Sequence, residues 1–169
     1  MASFTKPLSP SEMAQHYLPL SVGGAISGNL SATGTITAPF FNGTALNAQW
    51  ADLGEHYVTD QHYPVGTLVC FGGEKELTIA TTHANAVISE NPALRMNSKE
   101  VDGQAIALIG RVPVRVVGAV KKFDKITLSD ISGVGIVNNE AETVIGRALE
   151  DKSSEEEGLV LCSVAINLG

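Results

Sequence analysis

Histidines are the first residues to consider for chemistry, because they bind metals and transfer protons near neutral pH. The sequence has four of them, His16, His56, His62 and His83. His56 and His62 are six positions apart, and no cysteine lies near them. This spacing does not fit a zinc site, in which histidines and cysteines recur at short intervals. The sequence therefore predicts no metal site.

Carboxylates gather around residue 55, where Asp52, Glu55 and Asp60 follow one another closely. Paired carboxylates can act as general acid and base. Here they flank the aromatic residues Trp50 and Tyr57. We interpret them as capping or inter-subunit groups.

Nucleophiles and cofactor loops are equally hard to find. Ser89 and Ser98 are isolated, with no histidine at a spacing that would suggest a catalytic pair. Residues 133–135 (GVG) lack the third glycine and the following helix of a dinucleotide-binding loop. Cys70 and Cys162 lie inside apolar runs and are expected to be buried free thiols. The sequence predicts no catalytic residue, no cofactor and no enzyme.

Charge is distributed unevenly along the 169 residues. Lys6 and Glu12 are the only charged residues among residues 1–50, so the formal net charge of −7 belongs to the remaining residues. The only basic cluster, Lys121, Lys122 and Lys125, surrounds Asp124 and is interpreted as a solvated turn. The acidic chain therefore argues against nucleic acid as a partner. No window reaches the ~18 apolar residues of a membrane span, and no signal peptide is visible at the N-terminus. We expect synthesis and assembly in a cytoplasm, with no membrane partner.

The N-terminal region, residues 1–21, has the character of an extended arm. Three prolines interrupt it, at positions 7, 10 and 19. Its apolar residues have no core of their own nearby, which is typical of a docking peptide that orders on a partner. A terminus without a partner is the alternative. The predicted docking residues are Phe4, Leu8, Met13, Tyr17 and Leu18.

Residues 22–50 are interpreted as a β-structured ribbon. Between residues 22 and 38, aliphatic residues occupy even positions and Ser, Thr and Asn occupy odd ones. This alternation predicts short strands with one apolar face. A single ribbon is too thin to bury that face, so three copies around an axis are expected. The predicted trimer interface comprises Ile26, Leu30, Ile36, Phe40, Trp50 and Leu53.

Residues 51–169 are predicted to form a compact β-barrel or sandwich, and the whole chain to be all-β. Glycine-containing turns separate short β-prone segments at regular spacing. We take residues 51–57 as the junction with the ribbon and residues 150–157 (EDKSSEEE) as a solvated hairpin tip. The predicted strands are 65–71, 76–80, 87–89, 104–109, 112–120, 125–128, 135–137, 143–148 and 158–167.

Two stretches resemble known proteins. The segment SVGGAISGNLSATGTITAPFFNGTA resembles the thin shafts of bacteriophage fibre and appendage proteins. The segments ADLGEHY, PVGTLV, FGGEKE, SENPA, GRVPV and GRALE resemble a β-rich domain of tailed-phage structural proteins. The resemblance implies a homotrimeric virion subunit that docks through its arm to a tail, baseplate, neck or major capsid protein. It leaves a capsid decoration (cement) protein open as the alternative, because small phage head-decoration barrels look similar.

A related appendage family carries a self-cleaving form of this domain ahead of a C-terminal chaperone. The resemblance would place Ser89, Glu90 and Asn91 at such a centre. This sequence ends at Gly169, directly after its last predicted strand, so we expect no self-cleavage. A depolymerase would need a much longer β-helix with acidic pairs, which this chain cannot supply. The resemblance does not say where on the particle the protein sits, in how many copies, or whether it contacts a host receptor.

Overall fold

The protein is all-β, as the sequence predicts. A computed structural model describes residues 33–35, 37, 47–49, 51–99 and 102–167. The chain divides into two units, residues 1–44 and 45–169, and nearly all described residues belong to the second. The described ranges contain strands and no helix. The strands are β1 (Asp52–Val58), β2 (Leu68–Phe71), β3 (Leu77–Ile79), β4 (Ala86–Ile88), β5 (Leu94–Met96), β6 (Gly103–Val116), β7 (Lys125–Leu128), β8 (Gly135–Val137), β9 (Gly146–Ala148) and β10 (Gly158–Ala165).

Five of these strands close into a barrel. Around the ring the order is β6, β8, β7, β9 and β10, and β10 pairs with β6 to complete it. The contact between β10 and β6 is long and antiparallel, from Gly158 opposite Val116 to Ala165 opposite Ile109. The second half of β6 alternates, with Val112, Val114 and Val116 buried. A closed ring has no free edge, so every barrel strand is hydrogen-bonded on both sides.

The remaining strands form a sheet that extends from the first half of β6, here called the outer sheet. On one side β4 pairs with β6, and β2 and β3 continue beyond it. On the other side β1 runs antiparallel to β6, and β5 runs parallel to β1. Strand β6 therefore belongs to both parts of the fold. Its conformation changes at Gly110, which has a φ of +137°.

The buried side chains form two apolar clusters. The larger one joins barrel residues such as Val114, Ile126 and Val160 to Leu68 of β2 and Val87 of β4. The smaller one lies in the outer sheet around Leu77 and Ile106. The barrel and the outer sheet therefore share the larger cluster.

The structure confirms several predicted strands and corrects others. Strands β7 and β8 have the predicted bounds, and the acidic segment 150–157 is the mostly exposed connection between the hydrogen-bonded strands β9 and β10. The two strands predicted at 104–109 and 112–120 are one strand, β6, because its glycine stays within the ladder. Residues 51–57, taken as a junction, largely coincide with β1 (Asp52–Val58), and β5 was not predicted. The docking arm and the ribbon alternation lie almost entirely outside the described residues.

Candidate functional site

The start of β1 borders a cleft of about 360 Å³, here called the β1 cleft. Its lining includes Asp52, Ser89, Glu90, Asn91 and Arg111. Three elements bring these residues together: β1, the segment that follows β4, and β6. The cleft contains the residues that the resemblance associates with self-cleavage, so it is the part of the described chain to test for chemistry.

Backbone hydrogen bonds hold the first residues of β1 against two neighbouring segments. The amide of Arg111 donates to the carbonyl oxygen of Ala51 over 3.2 Å. The amide of Ala93 donates to the carbonyl oxygen of Asp52 over 2.7 Å. The chain is therefore fixed at both residues before β1 continues.

Two glycines allow this close approach. A Cβ atom on Gly110 would overlap the carbonyl oxygen of Ala51 and the Cα of Asp52. A Cβ atom on Gly54 would lie 2.7 Å from the Cβ of Pro92. The ladder between β1 and β6 shifts register beside it, between Leu53 and Gly54. Glycine is required at these positions because any larger residue would displace β1 from its neighbours.

Asp52 and Ser89 form a buried pair at the base of the cleft. The hydroxyl of Ser89 donates to Oδ2 of Asp52 over 2.7 Å, and both residues are more than nine-tenths buried. Because a buried carboxylate is costly without a donor, this bond anchors the start of β1 to the end of β4. Sequence reasoning noticed both residues and missed their pairing, since 37 positions separate them.

The arrangement has only part of what a nucleophilic site needs. Ser89 is hydrogen-bonded to a carboxylate, and an activated serine ordinarily has a histidine as its base. His56 and His62 line a neighbouring cleft of about 330 Å³ that also includes Ser89 and Glu90. In the part of the chain that the structure describes, no three His, Cys, Asp or Glu residues are grouped to hold a metal ion. The geometry suits a structural anchor better than a hydrolytic centre.

The other two carboxylates of the Asp52–Asp60 group have partners of their own. Glu55 accepts a hydrogen bond of 3.0 Å from the hydroxyl of Tyr57. Burial, and then the neighbouring Glu55, raise the pKa of Tyr57. Asp60 accepts from the hydroxyls of Tyr63 and Thr78, and the bond from Tyr63 is the main reason that the pKa of Asp60 is lowered. The three carboxylates thus have different partners and do not form a catalytic pair.

Both cysteines are buried free thiols, as the sequence predicts. Burial, with a smaller effect of Glu150, raises the pKa of Cys162 to about 12. Burial also raises the pKa of Cys70. Since the thiolate is the reactive form, neither cysteine is suited to nucleophilic chemistry near neutral pH.

Of the predicted interface and docking residues, Leu53 alone is among the residues that the structure describes. Leu53 is 42% exposed on β1. Leu94 of β5 and Ile109 of β6, which the sequence did not single out, are 57% and 55% exposed. The other predicted residues lie outside the described residues: Ile26, Leu30, Ile36, Phe40 and Trp50 of the interface, and Phe4, Leu8, Met13, Tyr17 and Leu18 of the docking arm. Among the described residues, no helix is long and apolar enough to cross a membrane.

The fold defines a class of protein: a closed five-stranded barrel with an outer sheet built on its longest strand. Among solved structures, this chain is similar to the pre-mature bacteriophage phi29 gene product 12. The TM-score is 0.56 at 14% sequence identity, and the match covers 79% of this chain. This chain spans about a quarter (24%) of that chain's length. No family model and no curated protein matches the sequence. At this identity the likeness shows a shared fold.

Proposed function

We propose that this protein is a structural subunit of a bacteriophage particle, a homotrimer of the fibre or appendage type that docks through residues 1–21. The observation that carries the proposal is the combination of the 22–38 alternation with a domain fold shared with a phage protein. The partners are two further copies of the chain and another virion protein. Nucleic acid, membranes and cofactors have no part in it, and the protein is made and assembled in the host cytoplasm before it resides in the virion.

The proposed mechanism is association. Trimerisation places Ile26, Leu30 and Ile36 against their copies, where a single ribbon would leave them in water. Burial of one aliphatic side chain contributes roughly 1.5–3 kcal/mol, so three residues from each of three chains would stabilise the shaft strongly.

Replacement of Leu30 by aspartate tests the trimer. A charge at the axis cannot be desolvated cheaply, so Leu30→Asp should convert trimers to monomers. The measurement is the molar mass by size-exclusion chromatography with light scattering. The matched control is Ser31→Asp on the hydroxyl-rich face, which should remain trimeric. A trimeric Leu30→Asp protein would refute the ribbon as the axis.

Removal of residues 1–20 tests the docking arm. The truncated protein should fold and trimerise normally and fail to join particles. Incorporation at the normal level would contradict the docking role.

Copy number per particle separates the main proposal from its alternative. A few to a few dozen copies fit a tail, neck or appendage position, and hundreds fit a capsid decoration protein that stabilises the head.

A self-cleaving appendage domain is a second candidate, favoured by the buried contact between Ser89 and Asp52. We expect no cleavage, because none of the hydrogen bonds between described residues joins the Ser89 hydroxyl to a histidine. Mass spectrometry of the purified chain after prolonged incubation should show one species at 17.7 kDa. A fragment that disappears in Ser89→Ala would establish the self-cleaving activity instead.

A further inference from the structure

Three strands of the outer sheet place exposed aliphatic side chains in one line. Leu53 of β1 is opposite Leu94 of β5 on one side and Ile109 of β6 on the other. Residues directly opposite each other in a sheet project to the same face. Each of the three is between 42% and 57% exposed. We call Leu53, Leu94 and Ile109 the apolar row.

The row continues to the edge of the sheet and onto the barrel. Ile109 is also opposite Ala165 of β10, which is exposed. At the other end, β5 pairs only with β1 among the described strands. The four positions in line are thus apolar and cross four neighbouring strands, ending at a short open edge. Contiguous exposed apolar surface of this kind marks an interaction site.

We propose that the apolar row is the contact between the β-domains of neighbouring copies in the trimer. This inference rests on the proposed trimer and adds a second interface to it.

Charge argues against nucleic acid, whose phosphates an acidic domain repels, and against a basic protein partner. The row itself presents no carboxylate, although residues 51–169 carry the net charge of −7. Two copies of an acidic domain repel each other, and the apolar row is where they can approach most closely.

The size of the row argues for a tethered occupant. Stable interfaces between free proteins bury about 1,200–2,000 Å² in total, and three partly exposed aliphatic side chains supply only a fraction of that. A tether changes this balance, because linked partners meet at an effective concentration of roughly millimolar. The other copies of this chain are tethered in this way, since the ribbon ends only a few residues before Leu53 at the start of β1.

Cysteine cross-linking in the full chain tests the proposal. Leu94→Cys and Ile109→Cys proteins are co-expressed and treated with a short bis-maleimide, and covalent dimers are counted on a denaturing gel. The native cysteines give little background because both are buried. The matched control is Ile131→Cys, 50% exposed on the connection between β7 and β8. Row cysteines should yield at least tenfold more covalent dimer than the control.

The same cysteines in the Leu30→Asp background test the tether. Maleimide labelling of Ile109→Cys should become at least fivefold faster there, and cross-links should disappear. Unchanged labelling and cross-linking in that background would overturn the dependence on the ribbon.

Light scattering on the same samples keeps the two proposals apart. A trimer in which row and control cysteines cross-link equally would overturn the row interface and leave the trimer intact. A trimer whose row is freely labelled in solution and blocked only in particles would assign the row to another virion protein, which also overturns the inference. A monomeric full chain would overturn both proposals.

Discussion

The barrel and the outer sheet share strand β6 and differ in what holds their strands in place. The barrel closes on itself through the pairing of β10 with β6, around a core of buried valines and isoleucines. The outer sheet stays open, with β3 at one edge and β5 at the other. It contains the smaller apolar cluster and contributes residues of β2 and β4 to the larger one.

Side-chain hydrogen bonds to the backbone also connect the outer sheet to other segments of the chain. The side-chain amide of Gln104 makes two hydrogen bonds to the backbone of Tyr63. Its oxygen accepts from the N–H over 2.7 Å, and its nitrogen donates to the carbonyl oxygen over 2.8 Å. Asn85 accepts from the amide of Phe71 and donates to the carbonyl oxygen of Asn167. Each bond joins segments far apart in sequence. The comparison teaches that the barrel closes without a free strand edge, whereas the outer sheet stays open and is tied to distant segments by specific polar bonds.

Gly110 lies where the two regions meet, so its substitution should have the largest effect. Gly110→Ala forces a side chain into a φ of +137° and against the backbone at Ala51. The expected loss is about 3 kcal/mol or more in the free energy of unfolding, from strain and overpacking together. Urea denaturation at neutral pH measures it.

Gly72→Ala is the matched control. Gly72 also has a positive φ, +109°, and its added Cβ would meet no atom within 4 Å. It should cost only the conformational strain, about 1–2 kcal/mol. Equal losses in the two variants would mean that the close approach at Ala51 is unimportant.

Ser89→Ala should have a smaller effect, confined to the outer sheet. Without the hydroxyl, the buried Asp52 carboxylate loses this donor, at a cost of about 1–3 kcal/mol. Hydrogen exchange should show lost protection at the amides of Ala93 and Arg111, which bond to the start of β1. Ser163→Ala, at an exposed barrel position, should change stability by less than about 0.5 kcal/mol. Equal loss of protection throughout the barrel would show that the two regions open as one unit.

The pH-dependent part of the loss in Tyr63→Phe should be the smallest effect. The hydroxyl also accepts from the amide of Ile79, and the loss of that bond does not depend on pH. The Tyr63 hydroxyl lowers the pKa of Asp60 below 3.8, so their interaction stabilises the fold above that pH. This stability is lost as the pH falls through the lowered pKa. The stability difference between wild type and Tyr63→Phe should therefore shrink from about pH 6 to about pH 3.

Thr78→Val is the comparison for that experiment. The hydrogen bond from Thr78 lowers the pKa of Asp60 less than the bond from Tyr63 does. The stability difference of Thr78→Val should therefore show the same pH trend with a smaller amplitude. Chemical denaturation at a series of pH values gives both curves. A Tyr63→Phe difference that is constant across the range would rule out the link to Asp60.

Local patterns in the sequence were sufficient for a good part of the barrel. The alternation around Val112, Val114 and Val116 predicts which side of β6 is buried, because side chains of a strand project alternately to its two faces. Turn residues such as Gly72 and Gly73 mark where β2 must end and β3 begin. The all-β class and the buried cysteines follow from the same local signals.

Only the tertiary structure decided the rest. In β1 the polarity of the side chains does not predict their burial, since the apolar Leu53 is exposed whereas Asp52 and Gly54 are buried between neighbouring segments. The Asp52–Ser89 bond, the closure of β10 on β6 and the apolar row each join residues distant in the chain. Local spacing carries no information about such contacts, because they depend on how the strands are ordered in the folded sheet.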